Sequence, residues 1–380
     1  MRFIFWQKFV SSHQTAFLAA LSAHHDVVLV VDYITDEHRH KMGWDFSISD
    51  QIELVIEPSD SKISELSKIA DYNIISGFRD GSCVRRVILA LEKNKLFFYM
   101  LLEPPMYIDK FSFQTIIRYL IYKSFFQRHK SMLRAVFAIG KSGERFYCNV
   151  FEKNKVFEFG YFIDGINKEY GLQNLKGNKY SINFAFVGSL VPKKGLLRFL
   201  KFFLKIKGLG NFKFRIFGEG SEKNSIKRLI SQSKYHERFE IYGFLHNNEI
   251  LSYLQQNDVL VLFNQNTEGW GVVINEGIIS GNYIICTELT GASVLIEDKS
   301  ELGLIMNHNI NFADFEKNII NLFRSYKIDV QSNKTLTISE MISPGSAVAY
   351  FIEIINSVQQ GDLEKPVAPW RKMWLLRELS

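Results

Sequence analysis

Cysteine is scarce: Cys83, Cys148 and Cys286 are the only three in 380 residues. So few thiols, so widely spaced, give neither a disulfide framework nor metal-ligand spacing, and a reducing setting is the simple expectation. No uncharged apolar run approaches the roughly 18 residues of a spanning helix. No G-x-G-x-x-G follows the first strand-like segment, which argues against a classical dinucleotide dehydrogenase, and there is no P-loop. Neither a sequence repeat nor a low-complexity stretch is present. A strong basic excess is also lacking. The 46 Lys and Arg stand against 40 Asp and Glu, a net charge of +6. Most of these charges are dispersed, so a nucleic-acid stripe is not expected. A mildly basic surface suits anionic phosphates or an anionic membrane. The first residues, MRFIFWQKFVSSHQTAFLAALSA, weakly imitate a signal peptide, but Ser11, Ser12, His13 and Gln14 interrupt the apolar region. A cytoplasmic protein is therefore expected, with the inner face of the cytoplasmic membrane as the place where a lipid contact would put it.

What is present is apolar and aromatic. Hydrophobic residues make up 47% and charged residues 23%, with 33 Phe and 16 Tyr. That is enough apolar material, over this length, for two cores. Short apolar runs at residues 1–9, 26–32, 73–77 and 96–102 read as strands, with helical patterns at 14–23 and 84–93 between them. Residues 164–179 are richer in Gly, Asn and Lys and read as a polar linker. The alternation then restarts, with strands expected at 182–188, 212–218, 239–243, 259–263 and 283–287. Alternation of this kind implies βαβ units and parallel sheets. The tail, at 347–358 and 370–379, reads as helical. The expected organisation is thus an N-terminal domain over 1–165, a linker over 166–180, a C-terminal domain over 181–355, and a helical tail over 356–380 packing on the N-terminal domain. Ligands in such sheets bind at the carboxyl ends of the strands.

The richest segment is Phe263-Asn-Gln-Asn-Thr-Glu268-Gly-Trp-Gly-Val-Val-Ile-Asn-Glu276-Gly. An apolar strand ends at Phe263, a polar loop follows, and an apolar helix is expected to begin near Gly271. Unpaired N–H groups at a helix start, with the helix dipole, suit a phosphate. Gly269 and Gly271 would let a ligand approach the backbone. Two carboxylates flanking an anion site make sense as acceptors of hydroxyl hydrogen bonds. A sugar nucleotide supplies both the hydroxyls and the diphosphate.

This segment is similar to the E-x7-E motif of glycosyltransferase family 4, retaining enzymes of GT-B fold. The resemblance extends to Phe186-Val-Gly188-Ser189 with Lys194-Gly195, to Ile216-Phe-Gly218-Glu-Gly220, to Tyr242-Gly243-Phe-Leu245 and to Ile284–Gly291. It is good over about residues 181–300 and weaker in the N-terminal half, where residues 137–140 and 159–164 fit the family's strands. It implies two Rossmann-like domains facing a cleft and a metal-independent hexosyltransferase with no cofactor beyond its nucleotide-diphosphate sugar. The acceptor would be a glycan or lipid-linked glycan of bacterial polysaccharide or lipopolysaccharide assembly. Glu276 would bind ribose hydroxyls and Glu268 the transferred sugar. Backbone N–H groups of Gly269, Trp270, Gly271 and Val272 would hold sugar or phosphate. Lys194 would pair with the diphosphate, where charge develops as the glycosidic bond breaks. Gly188, Ser189, Gly218, Gly220, Gly243 and Leu245 would complete the donor site. Two departures stand out: Ser189 occupies a position where the family commonly has Arg, and Gly291-Ala292 replaces the usual paired glycines. No Asp-x-Asp pair, the usual mark of a metal-held diphosphate, is present. Two other readings are a non-catalytic nucleotide-sugar-binding partner protein, supported only by Ser189, and a GT-B sugar-nucleotide epimerase.

The N-terminal half should hold the acceptor. His13, Gly77, Arg79 and Glu103 lie at expected strand ends and are its candidates. Residues 109–134 carry Lys110, Arg118, Lys123, Arg128, Lys130 and Arg134 against Asp109 alone, interleaved with Phe111, Phe113, Tyr119, Tyr122, Phe125 and Phe126. A basic, aromatic-rich helix of this kind can lie in a membrane interface.

Overall fold

The computed structural model describes residues 1–34, 48–77, 82–105, 113–164, 181–325, 338–362 and 364–372. Arg79, residues 109–112, the whole of the expected linker over 166–180 and residues 373–380 of the expected tail lie outside the described residues. The chain divides into two compact units, residues 1–164 with 341–380, and residues 165–340.

The first unit is built on seven strands: β1 (Arg2–Phe9), β2 (Asp26–Tyr33), β3 (Ile52–Ile56), β4 (Tyr72–Ser76), β5 (Phe98–Leu102), β6 (Leu133–Ile139) and β7 (Val156–Phe159). All pair in parallel, in the order β3-β2-β1-β4-β5-β6-β7. The run Val27 to Val31 is buried throughout. That continuous apolar pattern is what a parallel strand covered on both faces requires. Strand order reverses between β1 and β4, which opens a crevice at their carboxyl ends.

The second unit repeats the plan with β8 (Ile182–Val187), β9 (Phe212–Phe217), β10 (Phe239–Ile241), β11 (Val259–Leu262), β12 (Tyr283–Thr287) and β13 (Gly303–Met306). The order is β10-β9-β8-β11-β12-β13, again parallel, with the reversal between β8 and β11. Here much of the high Phe count is spent. Phe184, Phe199, Phe203, Phe212 and Phe214 meet at ring-centroid distances of 5.0–6.4 Å. Both units are Rossmann-like α/β sheets, as the resemblance implies.

The boundary expected at 355 moves. The helix Pro344–Gln360 belongs to the first unit, and residue 355 lies inside it. Ser343 caps the helix by accepting from the Ser346 N–H at 3.2 Å, and Pro344 fills its first turn. Ala347, Tyr350, Phe351, Ile354 and Ile355 form its buried stripe. Phe351 packs on Phe3 and Phe137 of the first sheet and on Phe17 of the helix Ser12–Ser22. The Tyr350 hydroxyl donates to the Glu158 carbonyl at 2.9 Å. Arg371 grips the Glu158 carboxylate at 2.6 and 3.1 Å. A pattern of apolar residues shows that a helix has a buried face, but not which core that face completes. Phe351→Ala removes a ring that is 2% exposed. It is expected to destabilise the first unit by about 3–5 kcal/mol, read as a lower urea midpoint of that unit's transition.

Candidate active site

In the second unit, the loops leaving β8, β9 and β11 meet at the strand reversal. The chain leaves β8 through Gly188 and makes a 3-10 turn at Pro192–Lys194 that ends on Gly195 in the left-handed region, φ 68°. A Cβ at Gly195 would stand 1.9 Å from the Phe263 carbonyl oxygen, so only glycine lets the β8 loop lie this close to the end of β11. The Gln265 N–H donates to the Lys193 carbonyl at 2.8 Å and laces the two loops together. Lys194 Nζ and Glu268 Oε2 are then 2.8 Å apart, with side chains 15% and 21% exposed. Two residues expected to serve different parts of a ligand thus form an ion pair. A partly buried pair of this kind is held by local backbone, because its own desolvation offsets much of the attraction.

The backbone of Glu268 is held as firmly as its side chain. Its N–H donates to the Leu289 carbonyl at 2.9 Å and its carbonyl accepts from the Gly291 N–H at 3.2 Å. The Trp270 carbonyl accepts from the Ala292 N–H at 2.8 Å. Beneath the loop, Asn264 Nδ2 donates to Thr290 Oγ1 at 3.0 Å, and Thr287 Oγ1 donates to the Asn264 carbonyl at 2.9 Å. Asn264, Thr287 and Thr290 are 0–1% exposed. The Gly291-Ala292 turn therefore braces the Glu268 loop.

The expected helix is short, Val273–Ile279, with Glu276 as its fourth residue and 8% exposed. Gly271, at φ 89°, turns the chain into it. The Trp270 ring is buried and donates to Asn275 Oδ1 at 2.7 Å, so its indole is a structural anchor rather than a ligand surface.

On the other side of β8, the Gly188 N–H donates to the Phe217 carbonyl at 3.0 Å and the Leu190 N–H to that of Glu219 at 2.8 Å. The Gly218 N–H donates to the Gly243 carbonyl at 2.7 Å, aligning the third loop, which continues to Leu245. A Cβ on Gly218 would fall 2.0 Å from the Gly188 carbonyl oxygen, and one on Gly220 would fall 2.4 Å from that of Leu190. Ser189 sits half-buried between these turns. The structure thus brings the sequence-derived donor residues to one end of one sheet.

In the first unit, His13 and Glu103 come together through a residue not singled out in the sequence. The Tyr161 hydroxyl donates to Glu103 Oε1 at 2.6 Å, and the Tyr161 ring lies 5.3 Å from that of His13. The Tyr147 hydroxyl holds the Glu103 carbonyl at 2.7 Å. His13, Gln14, Phe17, Leu101 and Tyr161 line a small pocket there. Gly77 ends β4, at φ 98°. Gln7 Nε2, Gln14 Oε1 and Ser76 Oγ near these strand ends are buried without hydrogen-bond partners. A buried polar atom left unpaired costs about 1–3 kcal/mol. In the sequence these residues are single polar positions inside apolar elements and carry no motif.

Thiol chemistry is disfavoured. Burial pushes the Cys83 thiol up to about 12 and raises that of Cys286 as well. Among the described residues, no three His, Cys, Asp or Glu side chains gather as metal ligands.

Gly195→Ala adds a Cβ against backbone at a positive φ. It is expected to destabilise the second unit by at least about 2 kcal/mol, measured by urea unfolding. An unchanged midpoint would show that the β8 and β11 loops can part without cost.

Residues 173–335 match the family model described as Glycosyl transferases group 1. A Staphylococcus aureus protein named poly(ribitol-phosphate) alpha-N-acetylglucosaminyltransferase is 25% identical over 215 residues, which are 55% of this chain and 41% of that one. The chain thus spans well under half the length of that relative. The crystal structure of Anabaena HepE in complex with UDP aligns with a TM-score of 0.70 at 11% identity, over 94% of this chain and all of HepE. The apo form of the lipopolysaccharide outer core galactosyltransferase WaaB aligns with a TM-score of 0.66 at 13% identity, over 96% of this chain and all of WaaB. The segment 173–335, which holds every donor-side residue described above, matches the glycosyl transferases group 1 model, and the chain shares its fold with the GT-B structures it aligns with.

Proposed function

We propose that the chain is a retaining glycosyltransferase. It would move a hexose from a nucleotide-diphosphate sugar to a glycan or lipid-linked glycan in bacterial cell-surface polysaccharide assembly. The observation that carries this reading is the Lys194–Glu268 pair, 2.8 Å apart at the carboxyl ends of β8 and β11. An ammonium group has three donors. One serves Glu268, and the others can meet diphosphate oxygens, where negative charge grows as the glycosidic bond breaks. Glu268, acceptor-only when ionised, orients a sugar hydroxyl. Glu276 takes the ribose hydroxyls, and the backbone of Gly269 to Val272 meets sugar or phosphate. With Ser189 at the position of a second cation, Lys194 carries more of the phosphate charge, and Lys193 is the nearest further cation in sequence. No metal is needed for charge neutralisation on this reading.

Support comes from the group 1 match over the same residues and from two neighbours. One is a HepE structure that holds UDP, and the other is a relative named for transferring N-acetylglucosamine. On the acceptor side, the Tyr161–Glu103 pair and the unpaired Gln7 Nε2 and Gln14 Oε1 offer hydrogen-bonding groups for hydroxyls. No helix among the described residues is long and apolar enough to cross a membrane. We place the enzyme in the cytoplasm, where nucleotide sugars are made.

A panel of nucleotide sugars tested by thermal shift should find one that stabilises the protein, by about 2.7 kcal/mol at a hundredfold excess over Kd. Glu276→Ala should weaken that ligand by roughly 10- to 100-fold, the worth of charged hydrogen bonds. Unchanged affinity would remove the donor assignment. Lys194→Ala should lower kcat by about 100-fold or more. Tyr161→Phe should raise the acceptor KM and leave donor affinity intact.

A further inference from the structure

The basic residues are less dispersed than the whole-chain balance suggests. Residues 193–238 hold 13 Lys and Arg against three Glu and no Asp. The rest of the chain carries 33 Lys and Arg against 37 Asp and Glu, so it is net acidic. The basic excess therefore belongs to one stretch of the second unit.

The fold turns that stretch into a surface. It contains the helices Leu196–Phe203 and Lys223–Ser231, which pack side by side. Each runs back from the carboxyl end of one parallel strand to the amino end of the next. Their C-terminal ends thus lie at the edge of the sheet opposite the donor loops. Lys201, Lys205 and Lys207 at the end of the first helix are exposed, as are Lys227, Arg228 and Lys234 along and beyond the second. The ion pairs of the stretch are Lys194–Glu268, Arg215–Glu240 and Lys223–Glu219. Glu222 feels the charge of Lys201, but burial raises its carboxyl. Lys205, Lys207, Lys227 and Arg228 have no carboxylate partner among the described residues. A helix C-terminus favours a nearby cation. That accounts for one cation at each helix end, and not for the lysines beyond or for the missing carboxylates.

What the face lacks narrows its partner. None of the large hydrophobic side chains between 193 and 238 is exposed, and Phe199, Phe203, Phe212, Phe214 and Tyr235 are buried. A bilayer surface needs apolar side chains to enter it. A protein partner needs an apolar or aromatic anchor. A single-stranded nucleic acid is held by stacking its bases on rings. This face offers charge without any of these.

We propose that the face holds a polyanionic glycan, a hydrated polymer with phosphate or carboxylate groups along its length. Repeated negative charge is the one feature the exposed lysines and Arg228 can recognise. Held away from the donor loops, such a polymer stays at high local concentration beside the enzyme. Naming it as the acceptor rests on the transferase reading above; the binding surface does not.

The test is binding of the full chain to fluorescent dextran sulfate, against uncharged dextran of matched length. Dextran sulfate should bind and dextran should not. Affinity should fall roughly 50-fold between about 50 and about 200 mM salt, as expected when four cations each release a counterion. Lys205→Glu with Lys207→Glu, and Lys227→Glu with Arg228→Glu, should each weaken binding about tenfold or more. Lys68→Glu with Lys93→Glu makes the same charge change at exposed positions of the first unit and should weaken it less than about twofold. All six positions are exposed, so urea midpoints should be unchanged. Salt-independent binding, equal binding of dextran, full binding by either second-unit variant, or an equal loss in the Lys68 and Lys93 variant would overturn the proposal. So would tighter binding of oligodeoxythymidylate than of dextran sulfate at equal total charge, since the face would then belong to a nucleic acid. A nucleotide sugar should raise the Tm of the second-unit variants as it does that of the unaltered chain. If no nucleotide sugar stabilises any of them, the transferase reading falls and the polyanion surface stands.

Discussion

The Lys194–Glu268 pair joins loops that leave neighbouring strands of one parallel sheet, and the geometry of the site descends from that junction. For the pair to form, the β8 loop must lie against the end of β11, which Gly195 permits and the Gln265-to-Lys193 backbone bond secures. Glu268 must also stay put while a ligand comes and goes. Its N–H and carbonyl are therefore bonded to the Leu289–Gly291 segment, which is itself held from beneath by Asn264, Thr287 and Thr290. The ion pair is thus an outcome of backbone placement. That suits a binding site, because the partners can share an incoming anion without the loops moving.

The departures from the family pattern read differently once this bracing is seen. Gly291-Ala292 lacks the usual second glycine, yet the Gly291 and Ala292 N–H groups are the donors that hold Glu268 and Trp270. Ala292 is fully buried and does this without a positive φ. Ser189 sits between glycine turns whose backbones are locked to one another, so losing a cation there leaves the cradle intact and moves the electrostatic load to Lys194. A non-catalytic binding protein would have kept the cradle too. What favours an enzyme is the lysine at the position where leaving-group charge would appear.

The two units put one plan to different uses. The second spends its strand ends on glycine turns and charge, which suits a diphosphate. The first spends them on Gln7, Gln14, His13, Glu103 and Tyr161, a hydrogen-bonding set with a lower charge density. Neutral hydroxyl recognition needs donors and acceptors rather than a fixed cation, and this composition is consistent with an acceptor on that side.

Much of this was legible without coordinates. Parallel strands buried on both faces must be continuously apolar, so β2, β8 and β11 announce themselves. Glycines at strand ends mark tight turns because few other residues fit the required backbone, and the Glu268…Glu276 spacing carries the family resemblance. The sequence also showed that residues 113–134 are basic and aromatic. Only the tertiary structure decided the rest, because long-range contacts have no local signature. A helix's apolar stripe does not say which core it completes, and so residues 344–355, expected in the C-terminal domain, belong to the first unit, where Phe351 packs against Phe3, Phe17 and Phe137. For the same reason the ion pairing of Lys194 with Glu268, 74 residues apart, the meeting of His13, Tyr161 and Glu103, and the outward turn of Phe113, Ile116, Ile117 and Leu120 depend on how strands and helices stack, which composition and spacing leave open.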